Sequence, residues 1–439
     1  MKRRDFLKTS ALAGASLTMA RQAPAVLAAS PNETVRVAVM GVNSRGDALA
    51  QSVAKTPGAE VVTVCDVDER TIGRCIDHVV EIQERAPKGV RDLRRVLDDP
   101  DVDALVIAAP DHWHAPAAIL AMKAGKHVYL EKPGSHNPRE GEWLTEAQQR
   151  YGRLVQMGNQ QRSAPRSIEI IQRIREENLI GQVYYAKCWY ANTRGSIGRG
   201  QPAAVPDWLD YELWQGPAPR RPYQDNLIHY NWHWFWHWGT GEINNNAAHE
   251  LDICRWALGV DYPTRVTSTG GRYHYDDDWE CTDTQTAGFE FEGNKNIVWE
   301  GRSCSGFPVM ERGRGSRIHG TEGTVVIDRG GYAVYDRRNQ LIEASFRNQT
   351  DAGLDTRGGG PLTDIHLVNF FDAIRTGASL RSPIAEGQKS VLLCHLGNIA
   401  QRTTGALDLD PTNGHILGHD DAMALWSRTY EPGWAPTVD

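Results

Sequence analysis

The feature that most constrains this fold is a short apolar segment that runs into a glycine-containing turn and then into a helix. Residues 35–40 are mainly apolar, as in a buried strand, and residues 47–54 have a helical composition. The turn between them, residues 41–46, begins and ends with glycine. Such a turn allows the helix N-terminus to present N–H groups and a positive dipole to a pyrophosphate. The sequence therefore predicts a dinucleotide-binding turn.

The turn departs from the usual fingerprint because Asn43 replaces its middle glycine, so the supporting evidence is the strand and helix around it. We expect Gly41, Asn43, Ser44, Arg45 and Gly46 to contact the cofactor.

A second apolar segment, residues 59–65, ends on Asp66, twenty residues after Gly46. An acidic residue at this position is placed to bond the ribose hydroxyls, which favours NAD. Arg45 and Arg70 lie nearby and would accommodate the 2′-phosphate of NADP, so that cofactor also remains open. A turn or helix-capping role is the structural alternative for Asp66.

The strand–helix alternation continues through the first third of the chain. We predict helices over residues 90–97 and 115–125, and strands over residues 104–109 and 126–130. Repeated units of this kind indicate a parallel, doubly wound sheet.

Ligands bind such a sheet at the carboxyl ends of its strands. The loops that follow the two later strands contain Pro110 and His114, and Glu131 and Lys132. We add these four residues to the predicted cofactor site.

Five motifs together resemble one family. They occupy residues 41–46, 108–114, 131–133, 244–252 and 366–375, and they occur in the expected order. The chain resembles the Gfo/Idh/MocA family (glucose–fructose oxidoreductase and inositol dehydrogenase).

The resemblance implies an α/β protein with two domains. An N-terminal Rossmann domain with a doubly wound parallel sheet, residues 32–158, would precede a C-terminal α+β domain with an open, mostly antiparallel sheet, residues 159–439. The second domain would bind substrate and form a homo-oligomer, a dimer or a tetramer, and its last segment would be able to pack back on the first domain.

The resemblance also implies hydride transfer between a nicotinamide and a sugar or polyol. Lys132 would bond the reacting hydroxyl, and His249 would be the general acid/base with Asp252 beside it. The chemistry agrees, because a histidine titrates near neutrality and a lysine stabilises developing negative charge. His249 and Asp252 are spaced i, i+3 on a helix predicted over residues 247–258, so they share a face. A core histidine and a surface lysine are the structural alternatives.

One residue departs from the family pattern. Family members usually carry an aspartate four residues before this histidine, and here the residue is Asn245. An amide cannot take up a proton, so either His249 and Lys132 handle the proton or the reaction is not a simple alcohol oxidation. We assign Asn245 to the substrate site together with Gln160 and Arg162, since polar side chains distinguish polyols.

An aromatic segment, residues 229–241, contains four tryptophans that alternate with other residues. The spacing predicts a strand with tryptophan on one face, and we expect Trp236 to contribute to a platform for a sugar ring. His233 and His237 lack a carboxylate partner at a suitable spacing, so we predict no metal ion.

The rest of the second half predicts a lid, a sheet and a helix. Residues 195–221 are rich in Gly, Pro and Arg and predict a long insertion or lid. Residues 360–377 predict a long helix that carries His366 near the site, as the family resemblance implies. Short strands separated by glycine turns are predicted over residues 264–282, 286–291, 296–299, 317–318 and 324–328.

The first 29 residues resemble a twin-arginine signal peptide. Arg3 and Arg4 precede Phe6, a weakly apolar stretch and a zone of small residues. This predicts export of the folded protein by the twin-arginine machinery to the periplasm or another compartment outside the cytoplasm; an uncleaved amphipathic tail is the alternative. The seven cysteines form no CxxC pair, which is typical of buried thiols in a protein that folds before export.

The net charge of the chain and its predicted export limit the functions that fit the sequence. A net charge of -7 gives no electrostatic footprint for nucleic acid. An exported enzyme finds little free NAD, so we expect a tightly bound cofactor that returns to its starting redox state in each turnover. We favour an oxidoreductase that acts on a small sugar. The alternatives are an NAD-dependent glycoside hydrolase or lyase that oxidises its sugar transiently, and a cofactor-holding binding protein.

Overall fold

The structure, a computed structural model, describes residues 34–346 and 360–438. The predicted signal peptide, residues 1–29, lies outside the described residues. Two sheets organise the described chain, one in each half. None of the described helices has the length and the apolar composition needed to cross a membrane.

The first sheet has six parallel strands. They are β1 (Val35–Met40), β2 (Ala59–Cys65), β3 (Lys88–Val90), β4 (Ala104–Ile107), β5 (His127–Leu130) and β6 (Val155–Met157). Their order is β3-β2-β1-β4-β5-β6, so the winding reverses between β1 and β4. The predicted doubly wound parallel sheet is therefore confirmed, and its reversal point is where such sheets bind ligands.

Helices connect these strands across both faces of the sheet. They are α1 (Arg45–Lys55), α2 (Glu69–Gln83), α3 (Leu93–Leu97), α4 (Asp111–Lys123) and α5 (Pro138–Tyr151), and α6 (Pro165–Glu176) follows the last strand.

Two of the predicted helix boundaries are wrong. The helix predicted over residues 90–97 begins only at Leu93, because Val90 pairs with Cys65 in the sheet and the side chain of Asp92 caps the helix. Helix α4 begins at Asp111, so the segment that we predicted as a loop, residues 111–114, is its first turn.

The second sheet has nine strands. They are β7 (Val183–Ala191), β8 (Arg265–Gly271), β9 (Thr284–Phe291), β10 (Lys295–Arg302), β11 (Arg314–Gly320), β12 (Gly323–Asp328), β13 (Gly331–Asp336), β14 (Leu341–Ala344) and β15 (Ala406–Asp408). Their order is β14-β13-β12-β11-β7-β10-β9-β8-β15. Only β7 and β10 pair in parallel, so the predicted mostly antiparallel sheet is confirmed. Strands β7, β13, β14 and β15 were missed, and the strand predicted over residues 264–282 ends at Gly271.

The helices of the second half pack partly against this sheet and partly against other parts of the chain, including the first domain. They are α7 (Tyr211–Gln215), α8 (Ala248–Leu258), α9 (Pro361–Thr376), α10 (Ile384–Arg402) and α11 (Asp420–Met423). Leu251 of α8 and Leu396 of α10 are fully buried against the sheet. Phe370 and Phe371 of α9 lie instead in the core beside β1 and α1. A helix that lies between β14 and β15 in the sequence thus completes the core of the first domain.

Candidate active site

A cavity of about 680 Å³ opens at the carboxyl ends of the first sheet's strands and extends toward α8. It combines the glycine turn, the ends of β2, β4 and β5, and residues of the second half. Most of the residues predicted for cofactor and substrate line it: Gly41, Asn43, Ser44, Arg45, Asp66, Pro110, His114, Glu131, Lys132, Gln160, Asn245 and His249.

The glycine turn has the geometry of a dinucleotide cradle. Gly41 has φ +82°, and a Cβ on it would lie 2.5 Å from the backbone nitrogen of Ala109. A Cβ on Gly46 would overlap the carbonyl oxygen of Gly41, so both positions require glycine. Asn43 and Ser44 line the cavity, and within the described chain their N–H groups have no acceptor. Free N–H groups at the start of α1 fit a pyrophosphate.

Asp66 fixes the turn and also faces the cavity. Its carboxylate accepts from the backbone N–H of Val42 at 2.6 Å and of Asp68 at 3.0 Å. Burial raises the pKa of Asp66. Arg70, which we considered for a 2′-phosphate, instead bonds Asp68 through Nε and Nη2 and stacks 3.4 Å above the ring of Trp208.

Glu131 binds Arg45, the other arginine that we considered for the 2′-phosphate of NADP. Its Oε1 accepts from Arg45 Nε at 2.9 Å and from Gln160 Nε2 at 3.2 Å. Burial alone would raise the pKa of Glu131, but the positive charges of Arg45 and Lys132 outweigh it and hold that pKa below its usual value. The two arginines are therefore occupied by carboxylates, and Asp66 remains for a ribose, as NAD requires.

Lys132 and Asn245 are joined across the cavity. Lys132 Nζ donates to the backbone oxygen of Asn245 at 2.8 Å and to its Oδ1 at 2.9 Å. Burial lowers the pKa of Lys132. Asn245 lies in a single turn of π-helix, Ile243–Ala247, that leads into α8, and such turns are frequent at functional sites.

His249 is 7% exposed and lines the cavity. Within the described residues its ring has no hydrogen-bond partner. Burial, and then the positive charges of Arg329, Lys132 and Arg314, hold the pKa of His249 well below its usual value. Near neutral pH the ring is therefore uncharged, which is the form that accepts a proton.

The structure contradicts the predicted roles of Asp252 and Arg162. These two residues bind each other, with Arg162 Nε 2.7 Å from Asp252 Oδ2 and Arg162 Nη2 2.8 Å from Oδ1. Ser390 Oγ donates to Asp252 at 2.6 Å. Neither Asp252 nor Arg162 lines the cavity. Helix α8 is buried on nearly all sides, so its residues contact different neighbours. His249 faces the cavity, whereas Asp252 is bound by Arg162 and Ser390.

The predicted aromatic strand and the role of Trp236 are also wrong. Asn231–Trp234 forms a 3-10 helix, and Trp232 and Trp234 pack into two different apolar clusters. Trp236 lines a smaller, separate cavity. The alternation reflects packing on two sides of a loop. Instead, Trp232 and His233 reach the large cavity, with ring centroids 3.6 Å apart.

The insertion predicted over residues 195–221 folds against the first domain. The backbone N–H of Asp210 donates to the oxygen of Val67 at 3.0 Å, next to Asp66. The backbone oxygen of Trp214 lies 2.8 Å from His112 Nε2 and accepts from Trp113 Nε1 at 3.0 Å. The insertion therefore contacts the loop after β2 and the first turn of α4.

His366 lies beneath the site rather than in it. It is fully buried, its Nε2 lies 2.9 Å from the oxygen of Met157, and its Nδ1 lies 2.7 Å from Ser163 Oγ. Within the described residues, no group of three or more His, Cys, Asp or Glu side chains is arranged to hold a metal ion.

Sequence reasoning missed several residues that line the cavity. Asp111 belongs to a motif that we recognised, but its own side chain was not considered. Arg314 and Arg329 lie at the start of β11 and in the β12–β13 turn, more than 60 residues after His249. No local pattern marks them, because the folding of the second sheet brings them to the cavity.

A doubly wound sheet with this turn, joined to a second domain that completes the cavity, defines the class of two-domain, nicotinamide-dependent oxidoreductases. Residues 35–159 match the oxidoreductase family described as NAD-binding Rossmann fold, and residues 186–315 match its C-terminal alpha/beta domain. The two matches together cover more than half of the chain. The chain therefore belongs to the Gfo/Idh/MocA oxidoreductase family, and its N-terminal domain binds NAD.

Named relatives match a shorter stretch. A glycosyl hydrolase family 109 protein of Saccharopolyspora erythraea is 34% identical over 30% of this chain and 33% of its own length. An alpha-N-acetylgalactosaminidase of Shewanella oneidensis is 33% identical over the same shares. The matched region thus spans about a third of the length of these relatives.

Solved structures share the fold over most of the chain. Levoglucosan dehydrogenase in complex with NADH has a TM-score of 0.65 at 19% identity, covering 86% of this chain and 99% of that one. The WlbA dehydrogenase from Bordetella pertussis, in complex with NADH and UDP-GlcNAcA, has a TM-score of 0.63 at 18% identity, with the same coverage.

Proposed function

We propose that the protein is an exported oxidoreductase that transfers a hydride between a sugar or polyol carbon and a tightly bound NAD. The observation that carries the proposal is the meeting of Lys132, His249 and the dinucleotide turn on one cavity. NAD, when bound, supplies the site that accepts the hydride from the substrate carbon.

His249, Lys132 and Asn245 would have different roles in the reaction. The uncharged ring of His249 is available to take the hydroxyl proton, because no protein group within the described chain bonds it. Lys132 lies beside Asn245 and is placed to stabilise negative charge that develops on the substrate oxygen. Asn245 accepts hydrogen bonds from Lys132 and so orients the ammonium group without competing for the proton.

A resident cofactor follows from the predicted location and from the insertion. The hydrogen bond between Asp210 and Val67, and those at Trp214, hold the insertion against the loop after β2 and the first turn of α4. We expect these contacts to slow release of the dinucleotide. Mass spectrometry of the nucleotide released on denaturation tests this, and protein purified without nucleotide would contradict it.

A second candidate function is NAD-dependent cleavage of a glycosidic bond. The observation that favours it is the naming of relatives as glycosyl hydrolase family 109 proteins, and Asn245 agrees with a departure from net alcohol oxidation. In this reaction a transient ketone acidifies the neighbouring C–H, so that the glycosidic oxygen leaves by elimination before the ketone is reduced again.

One experiment separates the candidates. Purified protein, without added NAD, is incubated with aryl glycosides and, separately, with aldoses plus a keto acceptor. Turnover of the aldose pair supports the oxidoreductase, whereas release of the aryl group without net NADH supports glycoside cleavage. Turnover of neither set would favour a cofactor-holding binding protein.

The Lys132 assignment has its own test. Lys132→Met should leave the nucleotide bound but abolish its reduction by substrate, measured as absorbance of the reduced nicotinamide. Lys123→Met removes an exposed lysine from α4 and should leave reduction unchanged. Normal activity in Lys132→Met would show that the assignment is wrong.

Export and assembly complete the proposal. Replacing Arg3 and Arg4 by lysine should retain the protein in the cytoplasm if the twin-arginine machinery carries it, as cell fractionation would show. Light scattering coupled to size-exclusion chromatography tests the expected homo-oligomer.

A further inference from the structure

Four side chains join the loop after β2 to the β7–α8 connection, residues 192–247. They are Asp68, Arg70, Trp208 and His229, the Asp68 cluster. The buried carboxylate of Asp68 accepts from Arg70 Nε at 3.0 Å and from Nη2 at 2.8 Å, and it lies 2.9 Å from His229 Nε2. The Arg70 guanidinium lies 3.4 Å from the centre of the Trp208 ring, which stacks on His229 with ring centroids 5.7 Å apart. Each residue thus contacts two others of the cluster.

The two backbones also pair at this place. Asp68 and Leu209 face each other in an antiparallel bridge. Backbone hydrogen bonds of 3.0 and 3.3 Å join the residues before and after them, and not the pair itself. The loop after β2 and the β7–α8 connection therefore meet through one short bridge and the Asp68 cluster beside it.

The Asp68 cluster borders the end of the large cavity where the adenosine half of NAD is expected. Asp66, which is placed for a ribose, lines this end together with Val67 and His229. The backbone N–H of Asp68 donates to the carboxylate of Asp66 at 3.0 Å, so one short loop carries both carboxylates. The residues proposed for catalysis follow β5 or lie in or just before α8. The cluster therefore adjoins the cofactor and not the reacting carbon.

The β7–α8 connection has an apolar core of its own. Tyr211, Trp214, Leu227 and Phe235 are buried in it, and Val67 of the first domain packs against its edge. Separating apolar surfaces costs free energy in proportion to their area, whereas water replaces hydrogen bonds that open at a surface. We therefore expect the connection to move as a unit and to part from the loop after β2 at the Asp68 cluster.

We propose that the contact between Asp68 and His229 retains the cofactor: NAD exchanges only when these two side chains separate, and their contact sets how long NAD stays bound. This role rests on the tightly bound NAD proposed above and names the contact that keeps it in place. His229 is a positioning residue in this scheme, because it acts through Asp68 and the loop that carries Asp66.

The first test measures exchange of the bound nucleotide. Nucleotide-bound protein is mixed with an excess of isotopically labelled NAD, and mass spectrometry follows the label in the protein-bound nucleotide over time. His229→Phe keeps a ring that can stack on Trp208 but loses the bond to Asp68, so we expect it to exchange about tenfold faster than the wild type. His274→Phe changes an exposed histidine in the loop after β8 and should exchange like the wild type.

A cross-link tests the same contact in the opposite direction. Asp68→Cys combined with Leu209→Cys places thiols on the two opposed positions, and Cα atoms about 4.5 Å apart in such a pair are within the range that a disulfide spans. The reduced double variant lacks the Asp68 carboxylate and should exchange NAD faster than the wild type. After treatment with oxidised glutathione it should exchange more slowly than the wild type. Leu209→Cys alone should not respond to the oxidant.

The outcomes separate this role from the tight binding of NAD itself. If the wild type exchanges its nucleotide as fast as it can be mixed, NAD is not tightly bound and the retaining contact is wrong with it. If the wild type exchanges slowly and both His229→Phe and the oxidised double variant match it, only the retaining contact is wrong. Circular dichroism shows which variants are folded, and either one decides the result if the other does not fold.

Discussion

Replacing Arg162 tests whether its partner, Asp252, is structural or catalytic. Their side chains are 9% and 1% exposed, so solvent screens the pair very little. Arg162→Met would remove both guanidinium contacts and leave the carboxylate buried with only Ser390 as a side-chain donor. Breaking a buried pair from one side costs about 3–5 kcal/mol, so we expect the free energy of unfolding to fall by that amount. This corresponds to roughly a hundredfold or more in the folded-to-unfolded ratio.

Urea unfolding of the nucleotide-bound protein, followed by tryptophan fluorescence and far-ultraviolet circular dichroism, measures this change. The double variant Arg162→Met with Asp252→Leu removes both charges and should recover most of the loss, because apolar replacement of a buried pair is often near neutral. Arg85→Met breaks an exposed pair with Glu60 and should cost about 1 kcal/mol or less. An Arg162→Met protein with full stability but no turnover would refute this reasoning and restore the substrate-binding role.

Three other predictions concern the dinucleotide turn, the proton and acid stability. Gly46→Ala should lose bound nucleotide because its Cβ would overlap the oxygen of Gly41. Gly73→Ala has open space around its Cβ and should retain the nucleotide. The nucleotide-to-protein absorbance ratio measures the difference between the two variants. Asn245→Asp places a carboxylate beside Lys132 Nζ, so it should raise the lysine pKa and move the alkaline limb of the rate profile upward; an unchanged pH profile would argue against their coupling. Burial lowers the pKa of five histidines to about 3 or 4: His112, His127, His237, His366 and His395. The unfolded chain protonates them below about pH 6.5 while the folded protein does not, so the free energy of unfolding should fall as pH drops from there, by at most about 1.4 kcal/mol per pH unit for each histidine. Equal urea midpoints at about pH 7 and pH 5 would contradict this.

Local sequence patterns were sufficient to predict features that depend on a single strand, turn or helix. The burial of residues 35–40 and the turn from Gly41 to Gly46 are properties of neighbours in sequence, and both occur as predicted. Asp66, Lys132 and His249 were found because each follows a recognisable strand or motif. The carboxyl ends of the strands in a parallel sheet lie at the same edge. Residues in the loops that follow these strands can therefore be placed near one another from the sequence alone.

Patterns failed where distant segments decide which way a side chain faces. The i, i+3 spacing of His249 and Asp252 indicated a shared face, yet a helix buried on nearly all sides has partners all around it, and Arg162 reaches Asp252 from another element. The alternating tryptophans indicated a strand, but the loop is packed between two apolar clusters.

The sequence by itself therefore determined the doubly wound sheet, the dinucleotide turn and the pairing of Lys132 with a histidine in one site. Only the tertiary structure decided which polar residues complete that site. Arg314 and Arg329 reach the cavity through the second sheet, and His229 reaches Asp68 from the chain between β7 and α8. The physical reason is that hydrophobic periodicity and turn chemistry act between neighbours in sequence, whereas burial and charge compensation depend on the whole packed chain.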